Sequence, residues 1–326
     1  MHRRLPLSVA IFLLAVTALA LFALSLTLGS VPLSFGDVIA ALWSDAPTLA
    51  RDVVQQLRLP RALSAFAVGG LLALSGAILQ VLLRNPLADP YVLGVSGGAS
   101  VAALVAIMLG LPAVGVDGSA ALGALAACLL VYALAQGPGG WTHTRLLLTG
   151  VVVAAGAGSV VSLLLALGDE TRLRGMVFWL LGDLSRSERW PWLISLLTVS
   201  AIAGTLLGRQ LNVLARGALQ AASVGMDVRR LQILLFVGSS VLTGSAVSAA
   251  GSIGFIGLVT PHLVRLALGS DNRVVLPVSA LLGGVLLMAA DLAARVLIAP
   301  RQLPVGALTA LVGVPLFLLL MYRQRS

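Results

Sequence analysis

Apolar residues run along this chain in blocks of 14 to 25, set apart by short clusters of polar residues, glycine and proline. The breaks leave about ten apolar segments, at 7–29, 60–83, 91–111, 118–135, 145–168, 191–208, 230–250, 255–268, 274–298 and 305–322. A helix needs about 20 apolar residues to cross the hydrocarbon layer. The pattern therefore predicts an all-α polytopic membrane protein with about ten transmembrane helices. Ten spans with short connections use up the 326 residues, so the chain reads as a single transmembrane domain over 1–326. Two stretches break the pattern. Residues 169–190 mix charges with an apolar centre, as a short interfacial helix does. Residues 211–228 are too polar and glycine-interrupted to span, yet too apolar for a bare solvated loop. They need a surface to lie against, and their own bundle and a partner subunit are both open as that surface.

Composition agrees with the pattern. The chain is 59% hydrophobic and 10% charged, with a mean hydropathy of +1.05, far too little polar surface for a soluble domain. His2-Arg3-Arg4 is followed by an apolar run from Leu5 to Leu28. That run exceeds the ~7–15 residues of a secretory h-region, so it reads as a retained first span. Cys128 is the single cysteine, which excludes an intrachain disulfide and a thiolate metal cluster.

The formal charge of +9 comes from arginines scattered between apolar segments. This does not fit a nucleic-acid-binding face and is explained by basic cytoplasmic loops. With the N-terminus inside, 12 arginines and three acids fall on inner ends and loops, against nine of each outside. Both termini are then cytoplasmic. All 21 basic residues are arginine. A Walker A loop holds the β/γ-phosphates with a lysine, so any ATP that drives this chain is bound by a separate subunit.

Several positions could carry chemistry. Gly94-Val95-Ser96-Gly97-Gly98 fits the G-x-S-x-G pattern, which would make an intramembrane serine hydrolase conceivable. A nucleophile elbow needs a strand-to-helix turn, however, and the flanks here are membrane helix. Small residues that let helices approach closely explain the motif better. Asp291 and Arg295 stand at i,i+4 and can pair. No chain of carboxylates crosses the bilayer, which weighs against an ion-coupled secondary carrier. Asp183 and Glu188 read as solvated. Arg58 and Arg61 sit at the outer mouth of the second span, and Arg295 lies near the outer end of the ninth. Snorkelling, with the guanidinium in water, is the plain reading; a ring of cations receiving an acidic protein or anionic ligand is the functional one. Val68-Gly69 after Arg61 and Val237-Gly238 after Arg230 repeat at one offset, a faint trace of an inverted repeat.

An ordered series of motifs carries more. RLPR (58–61), SGAILQ (75–80), RNPLADPYVLGVSGGA (84–99), RLLLTGV (145–151) and FWLLGDL (178–184) come first. LNVLARGALQAASVGMDV (211–228), GSIGFIGLVTPHLVRL (251–266), DLAAR (291–295) and LPVGALTALVGVPLFLLL (303–320) follow. From about residue 55 onward the chain resembles the permeases of ABC importers for ferric siderophores, haem and cobalamin. The resemblance implies ten helices in two inverted halves, with cytoplasmic coupling helices between the sixth and seventh spans. It implies a multi-pass permease of the bacterial inner membrane that works as a homodimer with one path on its axis. Two ATP-binding subunits, which carry ATP and Mg, dock from the cytoplasm. A periplasmic or extracellular binding protein delivers the chelate. No cofactor, metal site or catalytic residue is implied in the chain itself.

The same resemblance implies roles for single residues. Arg58, Arg61 and Arg295 match positions facing acidic residues of the binding protein. His143 and Thr144 match the cytoplasmic gate. Leu214, Ala215, Arg216, Gly217, Ala218, Leu219, Ala222, Val224 and Gly225 fall in the ATPase coupling segment. The chain departs from the family pattern in places. Arg216-Gly217-Ala218-Leu219-Gln220 lacks the two acids of the frequent LGEEA. His143 replaces a small polar residue, and Ser252 stands where proline is frequent.

Overall fold

The computed structural model describes residues 6–43, 47–137, 142–185 and 189–323. Arg3, Arg4, Arg325 and Glu188, used above, lie outside the described residues. All regular structure within them is helical. Each of the ten apolar segments holds one long helix: α1 (Leu7–Thr27), α4 (Leu59–Leu82), α5 (Val95–Met108), α6 (Ala113–Ala135), α7 (His143–Leu167), α9 (Trp190–Arg216), α11 (Val228–Ala250), α12 (Ile256–Leu268), α13 (Asn272–Val296) and α14 (Val305–Arg323). Seven of these are long and apolar enough to cross a membrane alone, while α5, α12 and α14 offer shorter apolar stretches. Between them lie α2 (Phe35–Trp43), α3 (Leu49–Asp52), α8 (Glu170–Leu181) and α10 (Ala218–Ser223). A short helix, α8, does lie within 169–190.

The chain repeats its plan. The series α4, α5, α6, α7 (24, 14, 23 and 25 residues) is matched by α11, α12, α13, α14 (23, 13, 25 and 19). Arg61 and Arg230 are both the third residue of the leading helix. The Val-Gly pairs that follow are not equivalent in packing. A Cβ at Gly69 would collide with the Gly283 carbonyl of α13, and one at Gly283 with the Gly69 carbonyl, whereas Gly238 faces open space. Without hydrophobic drive between helices in lipid, such close backbone approach supplies the packing contacts.

Helix α4 is the buried centre, with 89% of its apolar window covered, while α1 and α7 are covered over only 6%. At about 20 Å each, α5 and α12 are shorter than the ~30 Å hydrocarbon layer, and they are entered through residues 83–94, which include a 3-10 turn at Pro90–Leu93, and 251–255. Backbone without helical bonds survives there only if its polar groups find partners. Tyr91 supplies two of them: its hydroxyl donates to the Ile253 carbonyl at 2.8 Å and accepts from the Ile253 N–H at 2.8 Å. Ser96 and Ser252 meet alongside, Oγ to Oγ at 3.2 Å. The partner of Ser96 is thus another hydroxyl rather than a histidine base. His262 instead faces the ring of Phe317.

Candidate functional site

At one end of the bundle, α3 continues through a π-helical turn, Val53–Arg58, into α4. The wide turn aims Arg58 back at the C-terminus of α1. Its guanidinium donates to the carbonyls of Leu26 and Thr27 at 2.8 Å each, and to that of Val31. A cation on the last carbonyls of a helix satisfies acceptors left over by the helical pattern. Arg58 is only 5% exposed, so the snorkelling reading, with the guanidinium in water, is corrected. The reason is local: three carbonyls and Gly29 replace the solvent around it.

Arg61 and Arg295 share one carboxylate. Asp291, 1% exposed, accepts from Arg61 Nε at 2.9 Å and pairs with Arg61 Nη2 at 2.9 Å. Its second oxygen lies 3.1 Å from Arg295 Nε, the i,i+4 pair expected from the sequence. Arg61 Nη1 also donates to Gln302 Oε1 at 2.8 Å, and Arg295 reaches the Ser25 carbonyl. The three arginines do come together. With Gly29, Ser185, Pro300 and Gln302 they line a pocket of about 270 Å³. Among the described residues, three guanidinium groups stand against a single carboxylate there. Sequence reasoning missed Gln302 and missed Asp291 as the partner of Arg61. The only signal was that Asp291 is a carboxylate within a span, where such groups are rarely idle.

At the opposite end of α4, α9 does not stop near 208 as expected but runs to Arg216. Gly217, at φ 138°, turns the chain into α10, and Gly225, at φ 81°, turns it out again. Asp227 then caps α11 by accepting from the Arg230 N–H at 3.1 Å. Residues 214–225 thus form a helical knee. Leu214 and Ala221 are buried in the bundle, while Leu219 is 89% and Val224 69% exposed. Ala215, Arg216, Ala222 and Gly225 are also exposed, and Ala218 is half-buried. The knee therefore packs on its own bundle with one side and presents an uncovered apolar side with the other.

His143, half-buried, and Thr144, exposed, open α7 beside this knee. His143 is hydrogen-bonded to the Leu82 backbone and feels the charge of Arg84. Arg84 holds a left-handed backbone, φ 49°, and its guanidinium lies against Gly217. The end of α4 thus connects the start of α7 to the knee. Helix α7 itself combines exposure with small and polar residues: Gly156 and Gly158 face open space, and the Ser159 and Ser162 hydroxyls bond back to carbonyls of their own helix.

Comparison with known proteins follows from this arrangement. The chain is 40% identical to the hemin transport system permease protein HmuU of Yersinia pestis, over 99% of this chain and 97% of that one. It is 44% identical to the cobalamin import system permease protein BtuC of Halobacterium salinarum, over 89% and 76% respectively. A solved structure of a metal-chelate type ABC transporter in an inward-facing conformation superposes with a TM-score of 0.85 at 31% identity, covering 97% of this chain and 99% of that one. The model of the FecCD transport family matches residues 16–323. A match over that length, with relatives at 40% identity along nearly the whole chain, means that the chain belongs to the FecCD transport family.

Proposed function

We propose that this permease is the membrane-spanning half of an ATP-driven importer for a bulky metal chelate: cobalamin, a ferric siderophore or haem. Two copies form the path. The exposed small and polar face of α7 supports a place for it at the joint between copies, because a helix bathed only in lipid gains nothing from Ser159 and Ser162. The observation that carries the reading is the knee at 214–225. Among the described residues nothing covers its apolar side, and a lysine-free chain has no standard Walker A loop of its own. A separate ATP-binding subunit, with its Mg, covers that side and moves it.

Outside, the excess of guanidinium charge in the arginine pocket supports docking of an acidic binding protein that enters the pocket with a carboxylate. His143 and Thr144, linked to the knee through Leu82 and Arg84, act as the inner gate. ATP favours one arrangement of the helices over another only if it binds the two unequally. No covalent chemistry occurs in the permease. The protein sits in the bacterial inner membrane with both termini in the cytoplasm. The similar identity to permeases named for hemin and for cobalamin supports selectivity lying chiefly in the binding protein.

The test is reconstitution in proteoliposomes with the cognate ATPase and binding protein. Uptake is expected to require all three components, and the binding protein measured against the three chelate classes identifies the cargo. ATP hydrolysis by the permease alone, or ATP-independent uptake driven by an ion gradient, would overturn the reading.

A further inference from the structure

Just before the knee, Asn212 holds the base of α9 to the start of α13. Its side-chain carbonyl accepts from the Asn272 N–H at 2.8 Å and from Asn272 Nδ2 at 2.9 Å, while its Nδ2 donates to Asp271 Oδ1 at 2.7 Å. One amide thus makes three bonds to two consecutive residues. Asp271 is fixed in turn by Arg273, whose Nη2 lies 2.9 Å from Oδ2. One turn earlier on α9, a Cβ at Gly208 would press into the Arg273 backbone. The two helices are therefore in backbone contact and bonded at the same level.

Helix α13 then runs from Asn272 to Asp291, 19 residues or about 29 Å on, where Asp291 holds Arg61 and Arg295. On the way it is locked to α4 at Gly69 and Gly283. Helix α13 is continuous from Asn272 to Val296, with Pro277 interrupting its hydrogen bonding near the start, so it is bonded at both ends, interlocked in the middle, and able to pass displacement along its length. We infer that Asn212 is a positioning residue that joins the knee to α13, so that motion of the knee inside and the state of the arginine pocket outside are energetically coupled.

This inference rests on the reading of 214–225 as the ATPase-coupling segment and adds how its movement leaves the inner face. The alternative carrier, α11, follows α10 in the chain, but among the described residues Arg58, Arg61 and Arg295 make their side-chain bonds to other elements. By linkage the coupling is reciprocal: what ATP does to the binding protein's affinity, docking does to ATP's.

The experiment uses the permease in nanodiscs with its cognate ATPase. The affinity of the chelate-loaded binding protein is measured with and without a non-hydrolysable ATP analogue, and the ratio is the coupling factor. Factors of ~5–150 are typical of coupled sites. Asn212→Ala, still co-eluting with the ATPase, is expected to bring the factor to near one. Asn212→Cys with Asn272→Cys, in a Cys128→Ala background, gives a reversible clasp. Oxidation is expected to keep the wild-type factor and reduction to lose it, in one and the same folded molecule. If Asn212→Ala and the reduced pair both keep the wild-type factor, the inference falls while the importer reading stands. If the wild-type chain itself shows no factor, the inference falls as well, whereas the importer reading falls only if uptake proceeds without ATP and the ATPase.

Discussion

Removal of the Asp291 charge tests the outer cluster most sharply. Asp291→Asn keeps the shape of the side chain but leaves Arg61 and Arg295 without the carboxylate that both use, at 2.9 and 3.1 Å. Breaking a buried ion pair from one side costs about 3–5 kcal/mol, because the remaining charge is left uncompensated. Here two guanidinium groups are stranded, at 10% and 7% side-chain exposure, so the upper part of that range is expected. At roughly 2–4 °C per kcal/mol, the unfolding midpoint falls by on the order of 10 °C. The assay is thermal unfolding of the detergent-solubilised permease, followed by tryptophan fluorescence. Arg61→Gln in the Asp291→Asn background removes one stranded cation and is expected to recover part of the loss, giving a coupling above about 1 kcal/mol. A midpoint for Asp291→Asn within 2 °C of wild type, or strict additivity in the double variant, would refute the shared-carboxylate account.

Three further outcomes follow. Leu219→Asp and Val224→Asp, on the uncovered side of the knee, are expected to leave the unfolding midpoint unchanged and to abolish co-purification with the ATPase. Gly283→Val drives a side chain into the Gly69 carbonyl and is expected to cost about 1–3 kcal/mol, whereas Gly238→Ala, facing open space, is tolerated in the same unfolding assay. Arg273, and after it Asn212, hold the Asp271 carboxyl down to about 2, from an ordinary 3.8. A depressed carboxylate contributes stability above the unfolded value that is lost as pH falls from about 4 through 2. Acid titration of unfolding is expected to show a shallower loss for Asp271→Asn than for wild type across that window.

The spans were legible because each apolar block is long enough to be a helix and too apolar to be anything else. The Asp291–Arg295 pair was legible because i,i+4 neighbours meet on any helix. What stayed hidden depends on residues distant in sequence. Whether Arg58 snorkels or turns inward is decided by free carbonyls at Leu26 and Thr27, 32 and 31 positions away. The partner of Arg61 lies 230 positions away. Arg209 and Gln210 read as the end of a span, yet a helix of 27 residues simply extends beyond the ~30 Å hydrocarbon layer with its polar end in water. The short helices α5 and α12 were equally opaque, since the apolar content of 91–111 does not show that its α-helix starts only at Val95. The motif order, by contrast, recorded the family directly.

The bond between Tyr91 and Ile253 has a mechanical consequence. It ties the leading half of the repeat to the trailing half, and both of its hydrogen bonds converge on a single oxygen atom. Two bonds spread along paired backbones resist both sliding and turning, but two bonds meeting at one atom resist only separation. The Tyr91 hydroxyl therefore holds the two halves together at one point, beside the seam where α4 and α13 meet backbone to backbone at Gly69 and Gly283.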